Sequence, residues 1–323
     1  MINIAILGAG RIAKSMAKTI NGMKEANLYG IASRSMEKAI EFAKEFQIEH
    51  AYGSYEEMVK DPNIDLVYIA TPHSLHGEFS MLCLEHGKHV LCEKAFTANA
   101  KQANEVIALA KEKKLLVTEA MWSRYVPMAE TIKNLITDGT IGEVYTLRAD
   151  FGARKFNTPI MSRPELAGGA LLDLGIYPLT FAAMTFGLDI VDIKTTAVLN
   201  EHGVDSQHSI ILQYKDNKIA TLNSSMLSKM EARATVYGSE GYFVVKGMTN
   251  YESIEIYNNS NELIKTIHRP EQITGYEYEV LAAIKAINDG ELECPQMPHD
   301  ETIRMMELMD RLREMWGVRY PFD

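Results

Sequence analysis

Across the first third of the chain, apolar residues gather in short unbroken runs, separated by longer stretches in which they recur every three or four positions. The runs at residues 3–7, 28–32, 66–71, 89–93 and 115–119 are apolar almost throughout, the pattern of strands covered on both faces. Between them, residues 11–21, 36–46, 77–85 and 99–112 carry the period of amphipathic helices. In the last of these, Ala100, Ala103, Val106, Ile107 and Ala110 form one stripe. Strand and helix alternate, which predicts a doubly wound parallel sheet. Beyond Trp122 the texture changes to β-branched, alternating segments at 144–151, 193–198, 206–214, 218–225, 232–237, 242–245, 253–257 and 263–268. Polar turns join several of them, such as Lys215-Asp216-Asn217, Gly238-Ser239-Glu240-Gly241 and Asn258-Asn259-Ser260-Asn261. Helices at 275–287 and 300–316 close the chain on either side of Pro295 and Pro298. The expected class is α/β in two domains. Residues 1–122 form the parallel sheet with its helices, and residues 123–323 form an α+β domain with a large, mainly antiparallel open sheet.

Composition narrows the functions. With 46% hydrophobic and 24% charged residues among 323, the chain has the make-up of a globular protein. No apolar run in this reading approaches the ~20 residues that cross a bilayer, so no membrane partner is expected. A formal charge of -10 without a basic run argues against a nucleic-acid partner. Cys83, Cys92 and Cys294 are too few and too unpatterned for a disulfide framework and read as free thiols. With no charged leader ahead of the first strand, a cytoplasmic location is the expectation.

Gly8-Ala9-Gly10-Arg11-Ile12-Ala13 follows a predicted strand and opens a predicted helix, the context in which a glycine-rich turn holds a dinucleotide. The first glycine permits the turn, the second lets main chain approach a pyrophosphate, and the helix N-terminus favours the anion. Residues 1–122 are therefore expected to be a Rossmann dinucleotide-binding domain. An acid at the end of the second strand would hold the ribose 2′-hydroxyl of NAD; the sequence instead reads Ala32-Ser33-Arg34-Ser35. Ser33 and Arg34 suit the 2′-phosphate of NADP, and NADP(H) is preferred over NAD(H). The alternative leaves Arg34 solvated and Ser35 as a helix cap.

Two further constellations carry chemistry. Cys92-Glu93-Lys94 ends a buried strand at the carboxyl edge of the sheet, where open α/β folds bind ligands; otherwise Lys94 is a solvated strand end. Gly168-Gly169-Ala170-Leu171-Leu172-Asp173-Leu174-Gly175-Ile176-Tyr177 reads as a glycine-rich turn running into a helix, with Asp173 and Tyr177 four apart on one face. A tyrosine needs a nearby cation such as Lys94 to act as acid or base near neutrality; otherwise Tyr177 belongs to an apolar stripe. His73 and His76 could begin a metal site, but no third ligand accompanies them, and none is expected.

These residues resemble the glucose-fructose oxidoreductase and inositol dehydrogenase family, Gfo/Idh/MocA, and within it the branch of the dimeric dihydrodiol and NADP-dependent xylose dehydrogenases. The likeness spans the chain. It includes the glycine fingerprint, residues 70–76, 87–94 and 119–125, and the Asp173 to Tyr177 segment. It implies that Lys94 lies at nicotinamide and substrate, that Tyr177 is the acid–base residue, and that Asp173 orients the substrate. It also implies that Thr71, Pro72, His76 and Glu93 line the cofactor with Gly8, Ala9, Gly10, Arg11 and Ile12, and that Trp122, Arg124, Phe151 and Arg154 line the pocket. The family's proline after the Glu-Lys pair is Ala95 here. The implied activity is an NADP(H)-dependent oxidoreductase passing hydride between nicotinamide and a secondary alcohol of a cyclic diol, polyol or sugar. Alternatives are an NADP-linked aldose 1-dehydrogenase, a dicarbonyl-sugar reductase, or a non-catalytic NADP(H)-sensing protein. A homodimer through the C-terminal sheet is the expected assembly.

Overall fold

The computed structural model describes every residue except Asn157. Its strands are β1 (Ile2–Leu7), β2 (Ala26–Ala32), β3 (His50–Tyr52), β4 (Leu66–Ile69), β5 (His89–Glu93), β6 (Val117–Ala120), β7 (Val144–Gly152), β8 (Ile190–Leu199), β9 (Asp205–Tyr214), β10 (Ile219–Ser225), β11 (Arg233–Gly238), β12 (Gly241–Lys246), β13 (Ser253–Asn258) and β14 (Leu263–His268). Its α-helices are α1 (Arg11–Asn21), α2 (Met36–Phe46), α3 (Tyr55–Met58), α4 (His76–Glu85), α5 (Ala100–Lys113), α6 (Pro127–Thr137), α7 (Pro159–Ser162), α8 (Ile176–Phe186), α9 (Glu277–Asp289) and α10 (His299–Trp316).

The first unit comprises Met1–Tyr125 and Gln272–Met306. Strands β1 to β6 form one parallel sheet in the order β3-β2-β1-β4-β5-β6, reversing direction between β1 and β4. That is the doubly wound arrangement, and its switch point is where open α/β sheets bind ligands. The predicted stripe of α5 is buried as expected at Ala100, Ala103, Val106, Ile107 and Ala110. Asn99 caps the start of α5 by accepting the Gln102 N–H at 3.0 Å.

A boundary at residue 122 misses one feature, because the chain returns to this unit after residue 271. Leu292 accepts the Val117 N–H at 3.2 Å, and Thr19 and Thr274 share a hydroxyl hydrogen bond at 2.6 Å. A returning segment has no local signature, since what recruits it is the edge of β6, far away in sequence.

The second unit comprises Val126–Glu271 and Glu307–Asp323. Its eight strands run β14-β13-β12-β11-β7-β10-β9-β8. Every pairing is antiparallel except β7 with β10, which run parallel at the middle of the sheet. The alternation is visible in β9, where Ile210, Leu212 and Tyr214 are buried and Ser209, Ile211 and Gln213 are exposed. In the predicted turns, Asp216, Asn217 and Asn261 take left-handed angles near φ 60°.

Two expectations are corrected here. Helix α6 lies within the region read as strands and turns, whereas α8 is the helix expected to follow the glycine-rich turn at 168–177. Ile176 to Ala183 of α8 are all buried, so no polar face marks its length in the sequence. It also belongs to a helical stretch, Pro164–Phe186, that is long and apolar enough to cross a bilayer, contrary to the reading that no such run exists. In the structure, 94% of the most apolar window is buried inside the protein, which accounts for its composition. The three cysteines are free and buried, and burial pushes their thiols up.

Candidate active site

In the first unit, the residues singled out from sequence cluster at the carboxyl ends of β1, β2, β4 and β5. Gly8 has φ +104°, and a Cβ there would lie 2.8 Å from the Ala70 carbonyl oxygen, so only glycine fits the turn. Gly10 caps α1 without any side chain, and a Cβ there would meet only Ala70 O at 3.9 Å. No acid occupies the first turn of α1. Next to Gly8, the Thr71 hydroxyl is buried with no hydrogen-bond partner among the described residues. An open glycine, an uncontested helix N-terminus and an orphan hydroxyl fit a dinucleotide phosphate, with Gly8, Ala9, Gly10, Arg11, Ile12, Thr71 and Pro72 around it.

At the end of β2, Ser33 is buried and its Oγ accepts the Ser35 N–H at 3.4 Å, while Arg34 is exposed. Ser35 caps α2 by accepting the Lys38 N–H. The capping alternative thus holds for Ser35, and Arg34 extends from the turn between β2 and that cap. No carboxylate stands among residues 33–35.

His76 opens α4, fully buried, with Nδ1 2.8 Å from the Ala95 carbonyl oxygen and Nε2 2.9 Å from that of Thr71. Burial pushes its pKa down. With both nitrogens occupied by carbonyls, the ring ties the loop after β4 to the loop after β5 rather than offering a metal ligand. Glu93 is buried and accepts a hydrogen bond from the Tyr68 hydroxyl. Lys94 comes next, half-buried, and its peptide bond to Ala95 is cis. Beyond it, Phe96 N–H donates to Glu119 Oε1 at 3.0 Å, and Thr302 donates to Glu119 Oε2 at 3.4 Å. Burial raises the Glu119 carboxyl to about 7, partly countered by the Phe96 hydrogen bond. Sequence reading passed over Glu119, although a carboxylate on an otherwise apolar strand is itself a signal.

Of the pocket residues expected in this unit, Trp122 stacks on Tyr276 with ring centroids 4.3 Å apart. Arg124 is committed elsewhere: it pairs with Glu301 through two nitrogens at 2.6 and 2.7 Å and donates to the Gln296 carbonyl at 3.0 Å. Its guanidinium secures the returning segment.

In the second unit, Asp173 lies in a π-helical turn, Leu171–Gly175, and Tyr177 in the first turn of α8; both are buried. Phe151, near the end of β7, meets Tyr177 edge-on with ring centroids 5.3 Å apart. Just past β7, Lys155 Nζ donates to Asp173 Oδ2 at 2.7 Å, a partly buried ion pair. Arg154 beside it is exposed. Lys155 was missed from sequence, although the Arg154-Lys155 pair just after a strand was the available signal. Ala170, Leu174 and Met226, with Phe151, Ala153, Phe156 and Met161 against them, form an apolar cluster beside these groups.

Comparison with known proteins fits both halves. The Gfo/Idh/MocA model described as an oxidoreductase family with an NAD-binding Rossmann fold matches residues 2–121, and the family's C-terminal domain matches 129–244. A trans-1,2-dihydrobenzene-1,2-diol dehydrogenase from Xenopus tropicalis is 33% identical over 98% of both chains. The crystal structure of KijD10, a 3-ketoreductase from Actinomadura kijaniata, in complex with NADP and TDP-benzene, superimposes over 97% of both chains with a TM-score of 0.86 at 25% identity. Levoglucosan dehydrogenase, in complex with NADH and L-sorbose, shares the fold over 99% of both chains, with a TM-score of 0.87 at 18% identity. With a relative this similar along nearly its whole length, the chain belongs to the Gfo/Idh/MocA family of oxidoreductases and is similar to its dihydrodiol dehydrogenases.

Proposed function

We propose that the protein interconverts a secondary alcohol and a ketone in a cyclic diol, polyol or sugar, using NADP(H) in preference to NAD(H). The observation that carries this reading is the buried Tyr177 against Phe151, one helical step from a carboxylate fixed by Lys155. A phenol held by packing, with an oriented carboxylate beside it, is equipped for proton transfer. Bound nicotinamide supplies the hydride acceptor or donor. Tyr177 takes the proton of the reacting hydroxyl, or returns it in the reductive direction. Lys94 places positive charge at the reacting oxygen, which favours its anionic form. Asp173, held by Lys155, orients a neighbouring substrate hydroxyl. In the second unit Phe151 and Arg154 contribute to substrate binding; in the first, Trp122 contributes by its stacked ring and Arg124 through the segment it anchors.

The NADP preference rests on the absence of a carboxylate at the end of β2 and on the exposed Arg34. An NADP-linked aldose 1-dehydrogenase or dicarbonyl-sugar reductase would use the same groups, and the likeness to a 3-ketoreductase supports keeping the reductive direction in the test. A homodimer through the second sheet is part of the proposal, supported by exposed Ile211 and Ile219 on its outer side. So is a cytoplasmic location, supported by three free thiols.

The test is nicotinamide absorbance with NADP and NAD in parallel, over trans-diols, aldoses and inositols, with Tyr177→Phe as control. Turnover with NADP that collapses in Tyr177→Phe is expected. Undiminished turnover in that variant would overturn the acid–base assignment, and NADP binding without turnover on any substrate would favour the sensing role.

A further inference from the structure

Three glycines flank Asp173 in sequence, and neither cofactor binding nor proton transfer uses them. For two of them the nearest neighbour comes from β9. Gly169 has φ +119°, and a Cβ there would stand 2.3 Å from Asp205 Oδ1. Gly175 would place a Cβ 2.7 Å from both Cε1 and Nε2 of His208. Asp205 and His208 are in turn joined to each other, Nδ1 to Oδ2 at 2.8 Å, with side chains 0% and 1% exposed. The same Oδ2 accepts the Leu171 N–H at 2.9 Å.

We propose that Asp205 and His208 are positioning residues that lock the π-helical turn carrying Asp173 and thereby set the orientation of Tyr177. This rests on Tyr177 being the acid–base group. Asp205 holds the start of the turn, where an uncapped N–H would otherwise be buried without a partner and where negative charge is favoured. His208 lies against the end of the turn, and its Nδ1 carries the proton that Asp205 accepts. Its ring stacks on Trp316 at 5.0 Å, and Trp316 is fixed by donating to Thr195 Oγ1 at 3.0 Å. Tyr320 closes the approach to the turn by donating to the Gly168 carbonyl at 2.9 Å.

A lock of this kind matters because a π-turn holds one residue more than an α-turn and is rare except where a function keeps it. If the turn relaxed to α-helix, everything after it would rotate by about 100° relative to the residues before it, taking Tyr177 off the Phe151 ring. The two glycines are then explained by what must come close to them: Gly169 admits a carboxylate and Gly175 admits an imidazole.

The test is a cycle of Gly175→Ala, His208→Ala and the double variant. Readouts are the 13Cζ NMR signal of Tyr177, identified by its loss in Tyr177→Phe, the Tm, NADPH binding by fluorescence, and turnover of trans-1,2-dihydrobenzene-1,2-diol. Gly175→Ala should shift the Tyr177 signal and lower kcat by roughly 10- to 100-fold, as small misplacements do, with NADPH affinity unchanged. Removing the His208 ring in the same chain should restore much of both, a non-additivity expected only of residues in contact. A Tyr177 signal that stays put in both single variants, or losses that simply add in the double variant, would overturn the proposal. A coupled Tm with unchanged kcat, in a protein that Tyr177→Phe inactivates, would make the pair a packing element only and overturn it too. If Gly175→Ala does not fold, His208→Asn, which can still donate to Asp205, must move the Tyr177 signal or the proposal falls. If the wild-type chain turns over no diol, the acid–base reading fails separately, and the NMR signal still decides whether the pair sets Tyr177.

Discussion

In the first unit the candidate site is largely main chain: the Gly8 turn, the bare N-terminus of α1, and carbonyls at Thr71 and Ala95 bridged by one imidazole. In the second unit it is side chains: Tyr177 against Phe151, Asp173 held by Lys155, and Asp205 with His208 beneath. The contrast arises from the ligand each half must bind. A dinucleotide phosphate is recognised by N–H groups that any sequence with the right glycines can present. A particular alcohol and its proton require particular side-chain functional groups, and those must be brought together from distant strands. Damage should differ accordingly, with side-chain losses in the second unit striking turnover and changes in the first striking affinity or stability.

Lys94 is the sharpest challenge to that division, since it is a side-chain group in the main-chain half. Lys94→Met should reduce kcat by ~10²- to 10⁴-fold, the range for groups that act on proton transfer, with NADPH affinity nearly unchanged in fluorescence titration. A loss confined to affinity would place Lys94 with the cofactor groups instead.

Glu119 gives the next largest effect, on stability. Its carboxyl is raised to about 7 in the folded chain, chiefly by burial, against an ordinary 4.5. The folded state therefore holds the proton more tightly than the unfolded state. Stability on this account is greatest below pH 4.5, falls as pH rises toward 7, and is flat above. The fall amounts to about 3 kcal/mol, and Glu119→Gln should abolish it in denaturant titrations across that range.

Arg34→Ala should weaken NADP binding by about 1.5–3 kcal/mol, the worth of a hydrogen bond to a charged group, and leave NAD binding unchanged. Equal weakening of both cofactors would remove Arg34 from the 2′-phosphate. Lys155→Met should cost least, about tenfold in kcat/KM, because its side chain is 27% exposed and the ion pair partly screened. The loss should show with diols and shrink with simple secondary alcohols that offer Asp173 no second hydroxyl.

Legibility in the sequence divides along the same line. The strand, glycine turn and α1 are contiguous, so residues 3–21 announced their own structure, and Ser33 to Ser35 announced the turn and cap after β2. Asp173 and Tyr177 were visible because they share one helical face. Lys155 and His208 were not tied to them, since 18 residues separate Lys155 from Asp173 and a parallel crossover to β10 is needed to form the sheet around them. The ion pair of Arg124 was equally out of reach, because its partner Glu301 is 177 residues away. The π-turn was beyond reach, since one extra residue in a helix leaves the spacing of Asp173 and Tyr177 unaltered in sequence.

The returning segment also bears on the order in which the protein is made. Strand β6 acquires Leu292, and Glu119 acquires Thr302, only after the whole of Val126–Glu271 has left the ribosome. The nucleotide half, although encoded first, is therefore finished late in synthesis, and the second unit later still, since it takes in Glu307–Asp323. An expression boundary drawn after residue 122 would yield a sheet whose outer edge lacks its own cover.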